Sequence, residues 1–404
     1  MQCGYFERHE CRSCTFMGQA YAEQLAGKDR AARAGLAEAV GDSAWREPLA
    51  SRESQFRNKA KLVVGGTPGA VTLGILDGDR RGVDLRRCAL HEPVVAQAIP
   101  LLADWIDDLR LLPYDVAKRR GELKHVHVTG SPAQELMVRV VLRGDSQAQR
   151  VRDGLEDLQA ALPHLRVATV NYLPEHVALL EGDDEEVLTP ARTLAMDLGR
   201  LTLHLGPRSF FQTNTAVAVG LYEQARDWVA EQAPASLLDL YCGVGGFGLF
   251  AATLPDAPTV LGVEVSADAV ASARHTAESL RDSGTATNRV EFRCGDAGSE
   301  LPDAECVVVN PPRRGLGDEL CAAIESSNAA TLIYSSCNPT TLARDLAALP
   351  TFAVIDARLF DMFPQTPHAE VVVRATRGGP HPSWSVRSAR RPRHRCGRPR
   401  PARR

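Results

Sequence analysis

Between about residues 205 and 376, short apolar runs recur: LLDLY, VLGVEV, CVVVN, TLIYSS and EVVVRA. Each is separated from the next by a segment with helical spacing. A chain that alternates in this way folds as a doubly wound, mostly parallel sheet with crossover helices. In such sheets ligands bind beyond the carboxyl ends of the strands, so the residues just after each run are where function is expected.

The first run leads into DLYCGVGGFG, with Asp239 and Tyr241 at the strand end and glycines at 243, 245, 246 and 248. Glycine lets the backbone turn tightly and lets a ligand approach it, although glycine turns after strands are common in themselves. The second run carries Glu264 near its end, placed to hold two ribose hydroxyls. The third region, VEFRCGDA, ends near Asp296, a candidate for an adenine edge. The loop lacks the Lys-Ser/Thr of a phosphate-binding loop, so a nucleoside without phosphates fits better. S-adenosylmethionine is the first candidate, and NAD is the alternative from spacing alone.

The fourth run ends in Asn310-Pro311-Pro312, where two prolines stiffen the turn that projects the Asn310 amide. Arg313 and Arg314 come next, where methylases of base amino groups carry an aromatic residue. This favours phosphate contact or another target atom. The fifth run delivers SSCNP. Cys337 there is either a small core residue or a thiolate able to attack an electrophilic ring carbon. Its place in the row of ligand loops favours the nucleophile. Cys242, Cys294, Cys306 and Cys321 lie in or beside strand or helix patterns and read as core. Glu370 opens the last run and is a candidate general base, with a plain strand-edge acid as the alternative.

The rest of the chain divides into an N-terminal region, residues 1–90, a central region of mixed helix and strand patterns, 91–204, and a biased tail, 377–404. The tail holds ten arginines and no acid, which leaves 37 basic against 50 acidic residues in the body. An acidic body does not advertise nucleic-acid binding, so any RNA contact must come from local basic patches. There is no run of about 18 apolar residues and no signal-peptide pattern, so a cytoplasmic protein with reduced cysteines is expected, a monomer by default. Cys3, Cys11, Cys14 and the distant Cys88 have metal-like spacing. Zinc and an iron–sulfur cluster both accept four thiolates. His9 and His91 flank them and are expected at the surface.

Taken together, SFFQTN (209–214), DLYCGVGGFG (239–248), VNPPRRG (309–315), SSCNP (335–339) and FDMFPQTPHAE (360–370) resemble the S-adenosylmethionine-dependent RNA uracil-C5 methyltransferases. MQCGYF…CRSC, FRNKAK (56–61) and KRRGELKHV (118–126) extend the resemblance over nearly the whole chain. It is strongest to short bacterial members acting on 23S ribosomal RNA at a uracil of the 747 type. Members acting on other 23S uracils often carry an N-terminal oligonucleotide-binding barrel, for which there is no room before Cys3.

The resemblance implies an α/β protein. A C-terminal Rossmann-like methyltransferase domain would come after an N-terminal and central α+β RNA-binding region carrying an iron–sulfur cluster. It implies that Cys337 attacks uracil C6 and Glu370 removes the C5 proton. It implies that Gln212, Tyr241, Glu264 and Asn310 contact S-adenosylmethionine, to which the loop glycine Gly243 and Asp296 are added. It assigns Cys3, Cys11, Cys14 and Cys88 to a [4Fe–4S] cluster, and Arg57, Lys59 and Lys61 to RNA phosphates. A solvated strand face is the plain reading of those three cations. The alternatives are the same chemistry on another ribosomal or transfer RNA uracil, cytosine-C5 methylation, or a non-catalytic iron–sulfur RNA-binding protein. The Arg/Pro tail departs from the pattern and reads either as a basic arm or as a shifted reading frame.

Overall fold

The structure, a computed structural model, describes residues 1–286, 289–298 and 301–378. Two helices come first, α1 (Gly4–Glu7) and α2 (Tyr21–Gly35). A seven-stranded sheet comes next, made of β1 (Lys59–Thr67), β2 (Ala70–Leu76), β3 (Gly82–Asp84), β4 (Leu123–Gly130), β5 (Leu136–Leu142), β6 (Leu165–Tyr172) and β7 (Asp184–Val187). Its order is β3-β2-β1-β4-β5-β6-β7. The period of two sorts its side chains. Leu62, Val126, Val138 and Val140 share one core with Ile99, Leu102 and Ile106 of α3 (Pro93–Asp108). The alternate residues present a polar face, to which Lys61, His127, Arg139 and Thr169 contribute one cross-strand row. β5 and β6 are parallel, and α4 (Ala148–Asp153) and α5 (Leu155–Ala161) make the crossover. A boundary at residue 90 therefore divides a single sheet, because the helical pattern of residues 93–108 covers this sheet instead of opening a new unit.

The hairpin β8 (Leu194–Asp197) and β9 (Thr202–Leu205) leads to α6 (Thr215–Gln232) and the second sheet. Its strands are β10 (Ser236–Leu240), β11 (Thr259–Glu264), β12 (Val290–Cys294), β13 (Cys306–Val309), β14 (Thr331–Ser336), β15 (Phe352–Phe360) and β16 (Glu370–Arg377), in the order β12-β11-β10-β13-β14-β16-β15. Between them run α7 (Gly246–Ala251), α8 (Ala267–Asp282), α9 (Asp318–Ser326) and α10 (Pro339–Ala347). β10 to β14 are parallel, while β16 lies antiparallel between β14 and β15. Strand order reverses at β10, which opens the ligand crevice between the loops after β10 and β13.

One face of this sheet packs on α6, α7 and α8. The other packs on α9 and α10 together with Ala32, Leu36 and Val40 from the N-terminal segment. Cys242, Cys306 and Cys321 are buried as expected, whereas Cys294 is only half-buried at the end of its strand. Arg377, assigned to the tail from composition, closes β16. Its guanidinium donates to the carbonyls of Ile324, Glu325 and Ala329 and lies over the Phe352 ring. The remaining tail, 379–404, lies outside the described residues. Among the described residues no helix is long and apolar enough to cross a membrane.

The N-terminal helix is locked to the second sheet by charge. Lys28 Nζ lies 2.6 Å from Asp361 Oδ1 with both side chains almost fully buried, and it also donates to the Phe363 carbonyl at 2.9 Å. Four residues earlier on the same helix face, Gln24 Nε2 donates to Gln365 Oε1 at 3.1 Å, and Gln365 N donates back to Gln24 Oε1 at 3.0 Å. Lys28→Met strips the buried Asp361 carboxyl of its cation and leaves it the Tyr21 hydroxyl, which donates at 2.8 Å. Urea denaturation is expected to show a loss of about 3–5 kcal/mol, the cost of breaking a buried pair.

Candidate active site

The glycine loop is shaped by backbone conformations that few side chains tolerate. Tyr241 and Gly243 both have positive φ, at 56° and 54°. A side chain at Gly243 would meet nothing within 4 Å, so the loop faces open space there. Glu264, at the end of β11, accepts from Gly243 N at 3.1 Å and from Ser266 N at 2.9 Å. Its carboxylate is thus aimed at the loop from the adjacent strand. Asp296 is exposed, and its charge acts on Tyr241, whose phenol is raised by burial and then by Asp296. Asn310 comes directly after β13 and its N–H reaches the Leu240 carbonyl at 3.5 Å.

The sequence places Asp239 at the end of its strand without assigning it a role. It is fully buried, accepts from Gly248 N at 2.9 Å through one oxygen, and among the described residues has no partner for the other. Burial pushes its carboxyl up to about 7. An open glycine cradle, an acid on the neighbouring strand and an orphaned buried acceptor suit a cationic nucleoside ligand.

Cys337 sits between the end of β14 and the start of α10, half-buried. Helix N-termini favour thiolates. Burial nonetheless raises this thiol, and the Glu370 charge adds to the rise. A hydrogen bond from Arg313 opposes both. Arg313 also lies 3.3 Å from His368 Nδ1. The loops after β13 and β14 are stitched together: Asn338 Nδ2 and Thr341 Oγ1 both donate to the Arg313 carbonyl, at 3.0 and 3.3 Å. Arg313, Cys337, Asn338 and His368 line a cleft of about 430 Å³, with Lys28 at its other wall.

Glu370 reaches the same edge because β16 is antiparallel to β14, with Ser336 paired to Val371. It is 3% exposed, and burial pushes its carboxyl up to about 7. Ser335 Oγ donates to it at 2.6 Å and opposes that rise. A carboxyl near neutrality beside a thiol is a proton acceptor matched to its task. The SFFQTN segment is tied to the loop before β16, where Asn214 Nδ2 reaches the Met362 carbonyl at 3.5 Å. Asn214 caps α6 and donates to Ser51 Oγ at 2.8 Å. The buried Gln212 accepts through its carbonyl from Asn58 Nδ2 at 2.9 Å, and Phe210 is 66% exposed.

Cys3, Cys11, Cys14 and Cys88 are all partly buried. They lie within electrostatic reach of one another: burial drives the Cys14 thiol up to about 12, with further push from Cys88, Cys11 and Cys3. The Arg87 N–H donates to the Tyr5 hydroxyl at 3.1 Å and ties the two segments together. Among the described residues no three His, Cys, Asp or Glu groups gather as a ready metal site. His91, expected at the surface, is buried, because its backbone bridges to Arg57 inside the fold; burial lowers its imidazole to about 4. Arg57 is half-buried beside Cys14 and Cys88. Lys59 is partly buried and depressed to about 8, first by burial. Lys61 alone of the three is exposed. Arg57 and Lys59 thus depart from a solvated strand face.

Sequence reading missed Ser335, Arg313 as the partner of the thiol, and Lys28. SSCNP contains the first, and NPPRRG the second. Arg313→Gln removes the cation that holds the thiol down. Alkylation of Cys337 by iodoacetamide, followed against pH by mass, is expected to shift its midpoint upward in that variant.

Residues 191–377 match the tRNA (Uracil-5-)-methyltransferase family. The chain is 47% identical over 382 residues to the 23S rRNA (uracil(747)-C(5))-methyltransferase RlmC of Halothiobacillus neapolitanus, covering 93% of this chain and 100% of that protein. It is 41% identical over 383 residues to the protein of the same name from Vibrio vulnificus, with 93% and 100% covered. Among solved structures, the Pyrococcus abyssi tRNA (uracil-54, C5)-methyltransferase in complex with S-adenosyl-L-homocysteine superposes with a TM-score of 0.75 at 23% identity, covering 90% of this chain and 85% of that one. That likeness extends the shared fold across both sheets. With identity this high over nearly the whole length of its relatives, the chain belongs to the RNA uracil-C5-methyltransferase family.

Proposed function

We propose that this protein methylates C5 of a specific uracil in 23S ribosomal RNA, of the uracil-747 type, using S-adenosylmethionine. The observation that carries the reading is the meeting of Cys337, Arg313 and Glu370 at one sheet edge, beside the glycine loop. The names of its relatives point to the substrate.

Uracil C5 is a poor nucleophile until C6 is saturated. Cys337 Sγ forms a bond to C6, and the electron pair of the C5=C6 bond moves toward C5 and O4. Arg313 favours the thiolate that makes this attack. S-adenosylmethionine, when bound, would supply the methyl group that C5 takes up, the S–CH3 bond breaking to leave S-adenosylhomocysteine. Gln212, Tyr241, Gly243, Glu264, Asn310 and Asp296 are the residues that would hold it. Once C5 carries both methyl and hydrogen, Glu370 takes the C5 proton. The C5=C6 bond reforms, the C6–S bond breaks, and Cys337 is released. Ser335 holds the Glu370 carboxylate ready for that step.

The four N-terminal thiols suit a [4Fe–4S] cluster in donor type and number. It would supply a rigid four-point link between residues 3–14 and Cys88. Arg57, Lys59 and Lys61 lead away from the SFFQTN segment and would meet RNA phosphates, with Arg57 and Lys59 doing so from partly buried positions. A monomer working in the cytoplasm completes the proposal.

The decisive experiment uses a 23S rRNA fragment carrying 5-fluorouracil. Fluorine at C5 cannot leave as a proton, so an RNA–protein adduct bearing the methyl group is expected to survive denaturation and to vanish in Cys337→Ala. A folded protein that binds this RNA without forming an adduct would leave it a binding protein with no uracil chemistry. A second prediction concerns Glu370. Ser335 stabilises its ionised form, so Ser335→Ala lets burial raise the carboxyl above about 7. The base must be ionised to work, so the acid limb of the kcat/KM profile is expected to move to higher pH. Activity lost near neutrality should be regained in alkali.

A further inference from the structure

The polar face of the first sheet holds a group of donors that the methylation chemistry does not use. Lys61, His127, Arg139 and Thr169 lie in one cross-strand row on β1, β4, β5 and β6. Three of them converge on a single carboxylate. Arg139 Nη1 donates to Glu181 Oε2, Lys61 Nζ lies 3.5 Å from that same oxygen, and His127 Nδ1 lies 3.7 Å from it.

One carboxylate does not satisfy this group. His127 is 3% exposed, and neither ring nitrogen has a hydrogen-bond partner among the described residues. Arg139 is 2% exposed, and its Nη2 has no partner among them either. Buried donors are normally paired, and orphans call for an explanation. A phosphodiester can present both of its non-bridging anionic oxygens to such a group, whereas Glu181 meets it through Oε2.

Two further features point the same way. Arg139 is held in place independently of Glu181, since its Nε donates to Glu185 Oε1 at 2.9 Å, and Asn171 Nδ2 donates to Glu185 Oε2 at 2.8 Å. Glu181 lies in the irregular segment between β6 and β7, after residues 174–180, which are all exposed; Gly182 beside it is bonded to Asn171, so displacement of Glu181 calls for its side chain to swing away while the backbone stays. The row also starts beside the active site: Asn58, one residue before β1, donates to the Gln212 carbonyl and to Thr215 Oγ1, and Arg57 bridges to Asn214. Lys61 is three residues further along, about 10 Å of extended chain.

We propose that Lys61, His127 and Arg139 form a binding site for one RNA phosphodiester, and that Glu181 fills it in the free protein as a stand-in anion which RNA displaces. This rests on RNA being the substrate. The site both anchors the RNA and, through Glu181, excludes weaker anions until a polyanion competes for it.

The test is binding of a 23S rRNA fragment containing the target hairpin, titrated at several salt concentrations, for the wild type, Glu181→Gln, Lys61→Gln and the double variant. Glu181→Gln removes the competing charge and is expected to bind more tightly, on the order of 5-fold. Lys61→Gln is expected to bind more weakly and to reduce the salt slope by about 0.7, one single-stranded phosphate contact. The gain from Glu181→Gln should shrink when Lys61 is already replaced. Equal or weaker binding by Glu181→Gln, with wild-type binding and methylation intact, overturns the displaced-anion site alone, as does an unchanged salt slope in Lys61→Gln, whose exposed side chain is not needed for folding. A wild type that neither binds nor methylates the fragment overturns the RNA reading together with this one.

Discussion

Because β16 runs antiparallel between β14 and β15, its first residue, not its last, lies at the carboxyl edge of the parallel strands. This inversion brings Glu370 to the side of the sheet where ligands bind. A parallel sixth strand would have carried its opening acid to the opposite edge, far from Cys337. The inversion also obliges residues 361–369 to cross that edge as a loop. The loop cannot hold itself, since it has no ladder of its own. Lys28, Gln24 and Tyr21 of α2 hold it through Asp361, Phe363 and Gln365. The position of the candidate base therefore depends on a helix some 330 residues away in sequence.

The environment sets the chemistry of the two reactive groups by opposing effects. Burial pushes both Cys337 and Glu370 toward their protonated forms. Arg313 counters it at the thiol and Ser335 at the carboxyl. Each counterweight comes from an element already committed to the site: Arg313 from the stiff proline turn after β13, Ser335 from the strand that delivers the thiol. The stitching of Asn338 and Thr341 to the Arg313 carbonyl ties the backbones of the two loops together, so the residue that supplies the guanidinium and the residue that supplies the sulfur move as one.

Much of this was legible in the sequence because a parallel α/β sheet obeys a simple rule. Runs of apolar residues mark strands, and the residues at the end of each run face the crevice; Tyr241, Asn310 and Cys337 were found in this way. Glu370 does not obey the rule, since it opens its strand instead of ending it; the residues alone left it between a general base and a plain strand-edge acid, and the resemblance of its surrounding motif implied the former. Ser335 looked like an ordinary strand residue, because its partner lies 35 positions on, across an antiparallel pair. Lys28 reads as a surface cation of a polar helix until Asp361 is brought to it. Arg57 and His91 looked exposed for the same reason. Their burial is made by segments that meet only in three dimensions. The row from Lys61 to Thr169 was invisible at the sequence level, where four strands of unremarkable composition give no sign that their polar residues share one register.

The docking of α2 onto the loop after β15 also has a consequence for how the chain is made. Lys28 must wait for Asp361, 333 residues later, before its charge is paired. At ordinary rates of bacterial or cellular synthesis that interval is roughly 15–70 s. Throughout it, α2 and the residues just after it lack their final surface, since Leu36 and Val40 pack against the second sheet, whereas the cysteine segment before them meets Arg87 and Cys88 far sooner. Helix α2 is among the first parts of this protein to be made and among the last to find its place.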